Sequence, residues 1–283
     1  MTMKDLSTYA KNTWCPGCGN FAILNSIKAV LDALNEEGFP LEKVVLVSGI
    51  GCHAKIVDYI NVNSFYAIHG RVVPVATGIK LANPDLKVIG FAGDGDAYGE
   101  GLEHLIFAAK RNISITMIIH NNRVYGLTTG QYTPTSPLGF RGRSTPKGTI
   151  ELPLNPLELM LTSGATFIAR GYSHGIELLK KNFKEAINHK GFSFIDVLQV
   201  CVTFFNMYEY YNKRVYELKG EDLQNYDGAL RKIREWDYNS DVPIALGTFY
   251  KKEIPPFEER FLKYETKAVD RKLKIKEILE QAI

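Results

Sequence analysis

The feature that most restricts how this chain can fold is a series of near-continuous apolar runs separated by segments of helical periodicity. Lys43 to Val47, Leu86 to Ala92 and Ile113 to Ile119 each read as a strand buried on both faces, as do Thr166 to Ala169 and Phe192 to Leu198. Between them, Phe21 to Leu34, Val72 to Leu81, Leu102 to Lys110, Leu157 to Ser163 and Ile176 to Ile187 carry apolar residues at helical spacing. Asn20 is placed to cap the first of these helices. Strands that do not alternate cannot leave one face in water, so helices must cover both sides of their sheet. The expectation is an α/β fold with a mostly parallel sheet flanked by helices. Sheets of this kind bind ligands beyond the carboxyl ends of their strands. The loops with unusual chemistry follow strands here, with the loop around Cys15 as the exception.

Beyond Phe204 the character changes. The stretch is rich in Tyr, Lys and Glu, contains Pro255-Pro256, and ends in an amphipathic helical pattern from Arg271 to Ile283. The expected division is a binding domain over residues 1–204 and a C-terminal extension over 205–283 that wraps the domain or a partner.

Composition narrows the function. A net charge of only +3 over 283 residues gives no basis for nucleic-acid binding. No apolar run approaches a membrane span, and Met1 to Ala10 lacks a hydrophobic signal region, so the expected location is the cytoplasm. In that reducing compartment the 4 cysteines point to metal or redox chemistry rather than disulfides.

Two strand-end loops suit a diphosphate. Gly93-Asp94-Gly95 closes the second strand and Asn121-Asn122 the third. A diphosphate needs a divalent cation, and Mg²⁺ takes hard oxygen ligands. Asp94 offers a carboxylate, Asn122 an amide oxygen and Val124 a backbone carbonyl. The glycines let the backbone approach the phosphates, and a helix starting near Tyr98 would aim its N-terminus at them. Taken alone, Gly-Asp-Gly is a common turn; the Asn-Asn pair one strand later is what points to the diphosphate. This pairing resembles the thiamine-diphosphate fingerprint of enzymes such as pyruvate decarboxylases and transketolases, and the resemblance assigns Asp94, Asn122 and the Val124 carbonyl to Mg²⁺.

Cys15-x-x-Cys18 puts two thiolates within reach of one metal centre, and Cys52 and Cys201 stand at strand ends that a parallel sheet can bring near them. Thiolates select zinc or iron–sulfur clusters. For the Cys15/Cys18 pair alone a structural zinc site is an alternative, and Cys201 alone reads as a buried core cysteine.

The motifs Trp14-Cys15-Pro16-Gly17-Cys18-Gly19-Asn20, Ile50-Gly51-Cys52, His69-Gly70-Arg71, Ala76-Thr77-Gly78-Ile79-Lys80 and Val124-Tyr125-Gly126-Leu127-Thr128 together resemble the β subunits of archaeal 2-oxoacid:ferredoxin oxidoreductases, in the same order over residues 6 to 215. The resemblance implies a [4Fe–4S] cluster on Cys15, Cys18, Cys52 and Cys201. It also implies that Ile50, Gly51, Cys52, His53 and His69, with Gly95, Asp96, Gly126 and Leu127, lie against thiamine diphosphate. The implied reaction is the coenzyme A-dependent oxidative decarboxylation of a 2-oxoacid to an acyl-CoA and CO₂, with electrons leaving singly through the cluster to ferredoxin. No second sheet domain able to supply an activating glutamate is legible, so that residue is expected on an α subunit, the isolated chain is expected to be inactive, and no catalytic residue is assigned here.

Two positions depart from the commoner pattern. His53 stands where many relatives have Ser, and Thr129 where many have Lys. Lys55, Leu127 and Thr129 are candidates to meet substrate, although a solvated lysine is the plainer reading of Lys55. Loss of a cation at position 129 favours small 2-oxoacids, pyruvate first, over those with a distal carboxylate such as 2-oxoglutarate. Bare sequence reads His69 as structural, and only the resemblance makes it a cofactor contact; His104, His120, His174 and His189 are read as structural. Glu100 and Glu103 sit where a helix dipole favours carboxylates and need no other role. Two competing readings are a zinc-stabilised non-catalytic module and a non-oxidative thiamine-dependent decarboxylase or synthase subunit; the latter leaves the cysteines without a task.

Overall fold

The computed structural model describes residues 6–261. Eight strands form one sheet: β1 (Val44–Ser48), β2 (Asn63–Tyr66), β3 (Lys87–Gly93), β4 (Thr116–Asn121), β5 (Phe167–Tyr172), β6 (Ser193–Leu198), β7 (Val215–Glu217) and β8 (Ile244–Lys251). Their order is β2-β1-β3-β4-β6-β5-β8-β7. All neighbours run parallel except β5 and β8. Eight helices accompany them: α1 (Asn20–Glu36), α2 (Val72–Ala82), α3 (Leu102–Arg111), α4 (Pro156–Thr162), α5 (Ile176–Asn188), α6 (Tyr208–Asn212), α7 (Tyr226–Arg234) and α8 (Phe257–Phe261).

Successive side chains of a strand face opposite ways, and β3 and β4 use this to build two cores. Val88, Ala92, Met117 and Ile119 pack on one side with Ala76 of α2, Leu105 of α3 and Met160 of α4. Ile89, Phe91 and Ile118 pack on the other with Ile27 of α1 and Phe183 of α5. Every residue of β4, β5 and β6 is buried, which explains why these strands lack alternation.

Differences from the sequence expectation have local causes. Asn20 does not cap α1; Gly19 holds that position without a side-chain hydrogen bond, and Asn20 lies inside the helix with its Oδ1 2.8 Å from His120 Nδ1. Helical structure after β3 begins at Gly95, ahead of Tyr98, as a π-helical turn over Gly95–Glu100 that leads into α3. The edge strand β2 is exposed along its whole length, so it carries no apolar signature. Residues 208–251 add two further strands to the same sheet, with β8 antiparallel on β5 and Trp236 buried beneath them. The helical pattern from Arg271 to Ile283 lies outside the described residues. Among those residues no helix is long and apolar enough to cross a membrane.

Candidate functional site

The parallel order β1-β3-β4-β6 sets four carboxyl ends side by side, although the chain visits them far apart in sequence. The residues after β1, β3 and β4, together with His69, enclose a cleft of about 350 Å³. Its walls include Ile50, Gly51, Cys52 and His53 from the first loop, Asp94, Gly95 and Asp96 from the second, and Asn122, Val124, Gly126 and Leu127 from the third. Every residue expected at the diphosphate or against the cofactor therefore borders one space.

Asp94 sits at the end of β3, 1% exposed, and burial pushes its carboxyl up to about 6 despite hydrogen bonds from threonine hydroxyls. Among the described residues no Lys or Arg pairs with it, so its charge lacks a partner of the kind a divalent cation provides. Asn122 Oδ1 accepts the Val124 N–H at 3.1 Å. Glycine at position 95 makes room for the Tyr125 ring, which an added Cβ would meet at 2.3 Å. The donor set, one carboxylate with amide and carbonyl oxygens, fits Mg²⁺ and the diphosphate it would bring.

Asp96 organises the opposite wall. Its carboxylate is 2% exposed, with Oδ2 3.4 Å from His53 Nε2 and Oδ1 3.3 Å from His69 Nδ1. The Gly70 N–H also donates to Oδ1 at 2.7 Å. Two imidazoles around one buried carboxylate form a set that can hold and pass on a proton. Beneath His53 lies His120, fully buried and held well below the usual imidazole range by desolvation and by His53. Its neutral, enclosed state suits a structural role.

All four cysteines line an adjoining cavity of about 330 Å³, which shares Cys52, Asn122, Gly126 and Leu127 with the cleft. The Cys15 loop reaches the strand ends because the Gly19 N–H donates to the Val200 carbonyl at 3.1 Å. Trp14 Nε1 donates to the Cys52 carbonyl at 2.6 Å, fastening the first loop to the same place. Burial first, then the neighbouring Cys201, Cys52 and Cys15, pushes the Cys18 thiol up to about 12. Burial raises Cys52 as well, opposed by the positive charge of Lys55. Thiols whose ionisation is resisted in this way fit a cationic centre that would relieve the repulsion. Among the described residues, no three His, Cys, Asp or Glu side chains come together tightly enough to hold a single metal ion.

Lys55 and Thr129 border the cysteine cavity and not the cleft; Lys55 Nζ donates to Thr13 Oγ1 at 3.0 Å. Leu127 borders both. Glu100, to which no role was given from sequence, lines the cleft with an oxygen 3.6 Å from His69 Nδ1. Thr135 and Gln199 were missed altogether. Thr135 donates to Asp94, and Gln199 accepts from Asn122. Neither lies in a motif, and only contact across the sheet reveals them.

Comparison with known proteins decides the family. Residues 49–197 match the thiamine pyrophosphate enzyme C-terminal TPP binding domain, and residues 201–266 match the C-terminal family of the pyruvate ferredoxin oxidoreductase beta subunit. The 2-oxoacid:ferredoxin oxidoreductase subunit beta of Saccharolobus solfataricus is 44% identical over 264 residues, 88% of this chain and 85% of that protein. The chain belongs to the β subunits of the 2-oxoacid:ferredoxin oxidoreductases. Subunit beta of 2-oxoacid:ferredoxin oxidoreductase 1 from Aeropyrum pernix is also 44% identical, over 87% of this chain and 80% of its own. In structure, this β subunit resembles the 2-oxoglutarate:ferredoxin oxidoreductase of Magnetococcus marinus, solved with 2-oxoglutarate, coenzyme A and succinyl-CoA bound. The TM-score is 0.88 at 31% identity, covering 100% of this chain and 96% of that one. The resemblance drawn from the motifs and the expected thiamine-diphosphate-binding α/β fold thus hold.

Proposed function

We propose that this β subunit holds both redox-active groups of its oxidoreductase: thiamine diphosphate with Mg²⁺ in the cleft, and a [4Fe–4S] cluster in the adjoining cavity. The observation that carries the reading is the shared wall, since Cys52, Asn122, Gly126 and Leu127 border both spaces. Electrons released in one would have a short way to the other. Asp94, Asn122 and the Val124 carbonyl would hold Mg²⁺, and Cys15, Cys18, Cys52 and Cys201 the cluster. Residues 1–204 would hold both centres, with the segment 205–283 as an extension whose described part completes the sheet edge.

When bound, thiamine diphosphate supplies the nucleophile and electron sink for decarboxylating a 2-oxoacid. The chain's own residues bind and orient. Asp94 presents charge to the metal, the Gly95 backbone admits the diphosphate, and Asp96 holds His53 and His69 where a proton can be kept beside the reacting end. Ile50 and Leu127 border the cleft with exposed apolar side chains, so exclusion of water there would need the partner subunit to cover them. The aminopyrimidine side and its activating glutamate fall to an α subunit, and acyl transfer to coenzyme A and electron delivery to ferredoxin complete the cycle, in the cytoplasm.

No Lys or Arg lines the cleft among the described residues, which supports small 2-oxoacids, pyruvate first. A 2-oxoglutarate specificity, suggested by the solved relative, would need its cation from the partner subunit. A structural zinc would occupy the four cysteines yet give no reason for their cavity to share a wall with the cleft.

The test is iron, sulfide and zinc content with an electron paramagnetic resonance spectrum on anaerobically purified αβ complex. CoA-dependent viologen reduction is then followed with pyruvate, 2-oxobutyrate and 2-oxoglutarate. About four irons and four sulfides per chain, with a reducible signal, are expected. One zinc without sulfide would overturn the electron-transfer role and leave a thiamine-binding subunit.

A further inference from the structure

We infer that Gln199 is a positioning residue common to both centres: it fixes which atom of Asn122 faces the metal and donates an N–H to the Cys18 sulfur. The inference rests on the reading of cleft and cavity proposed above.

Gln199 follows β6 and is 2% exposed. Its Nε2 donates to the Val200 carbonyl at 2.7 Å. A carbonyl only accepts, so this contact sets the hand of the whole amide. The nitrogen then lies on the side of Cys18, 3.6 Å from Sγ, and Oε1 faces Asn122. Because Gln199 offers Asn122 an acceptor, Asn122 must answer with Nδ2, at 3.0 Å. Its Oδ1 is thereby turned to the other side, where the Val124 N–H meets it at 3.1 Å. That oxygen is the only atom of the amide able to ligate a hard cation. The Val200 carbonyl acting through two amides, together with the Val124 N–H, thus sets the hand of Asn122 from both sides and keeps its oxygen available to the metal.

The second task is electrostatic. An N–H directed at a cluster sulfur favours the reduced, more negative state and raises the potential. Main-chain bonds keep the segments together: the Gln199 N–H donates to the Asn121 carbonyl at 3.0 Å, and the Gly19 N–H to the Val200 carbonyl at 3.1 Å.

The test compares the wild-type αβ complex with Q199L and Q199E, all prepared anaerobically. Calorimetry gives the Mg²⁺ dependence of thiamine diphosphate binding, and a redox titration followed by paramagnetic resonance gives the cluster midpoint. Q199L, which can serve neither partner, should weaken Mg²⁺-dependent binding by about 10- to 100-fold, as is usual for groups that orient a ligand, and should move the midpoint to more negative potential. Q199E keeps an acceptor for Asn122 while placing a carboxyl group where the amide N–H stood, so binding should stay close to wild type while the midpoint still falls. No change in Q199L, or a change in only one of its two quantities, overturns the shared role. If Q199L fails to assemble, the near-isosteric Q199E decides alone: an unmoved midpoint overturns the link to Cys18, and lost metal binding overturns the orientation argument. A wild-type complex devoid of iron and sulfide would instead refute the underlying reading, before any variant is compared.

Discussion

The Thr135 hydroxyl lies 2.8 Å from Asp94 Oδ2 and 2.9 Å from Asn121 Oδ1. It has one proton and cannot serve both acceptors at once, so the buried Asp94 carboxylate is only partly satisfied by it. Burial pushes that carboxyl up to about 6, so the ionised Asp94 costs the chain stability wherever no cation meets it.

Asp94→Asn should therefore stabilise the metal-free chain. The folded chain holds the Asp94 proton to about 6 while the unfolded chain releases it near 3.8. As pH rises between those values ionisation favours unfolding, by about 3 kcal/mol once both states are ionised. Denaturant unfolding at pH 7.5 should show the variant more stable by up to about 3 kcal/mol, with the gap roughly halved at pH 5. Mg²⁺-dependent retention of thiamine diphosphate should be lost. A variant less stable than wild type at pH 7.5 would contradict the account.

Asp196, at the centre of the sheet, collects the hydroxyls of Tyr98 and Tyr238 at 2.7 Å each and the Asn121 amide at 3.0 Å, beside the buried Arg170. Removing it strands three donors and a guanidinium without water. Asp196→Ala should lose about 3–5 kcal/mol in a chemical denaturation curve, while Asp196→Asn, which still accepts, should lose clearly less.

Gly70 adopts φ +70°, and a Cβ there would come within 2.3 Å of the Glu100 backbone oxygen, an atom that cannot swing aside. Gly70→Ala is expected to cost well over the ~1 kcal/mol of a left-handed alanine and to loosen the loop that holds His69 against Asp96. Gly38, at φ +89° with open space around it, is the control. If Gly38→Ala and Gly70→Ala shift the melting temperature equally, the clash plays no part.

The chain alone, loaded with thiamine diphosphate and Mg²⁺, should reduce no viologen with any 2-oxoacid; adding the α subunit should restore turnover. Activity of the lone chain would show that the activating carboxylate lies on it.

Much of this molecule was legible before folding was considered. Buried strands are local facts: β3 reads as apolar because both its faces meet helices, and the Gly-Asp-Gly and Asn-Asn loops announce themselves at strand ends. Exposed β2 and the late strands β7 and β8 escaped, since an edge strand needs no apolar face and the late pair lies in a stretch dominated by Tyr, Lys and Glu. Lys55 and Thr129 stand in sequence beside residues of the cofactor cleft, yet they border the cysteine cavity. Sequence proximity to Cys52 and Leu127 does not say through which wall of the strand-end region a side chain points.

What the sequence determined was the inventory: which residues could ligate, where strands end, and which loops carry the four thiols and the strand-end carboxylate. The tertiary structure alone decided which atom each residue presents. Burial patterns and glycine turns are short-range and leave a mark in the order of residues. The hand of the Gln199 amide, the turn of Asn122 and the raised proton affinity of Asp94 arise instead from partners that the parallel crossovers bring together from distant segments, and no local signal encodes them.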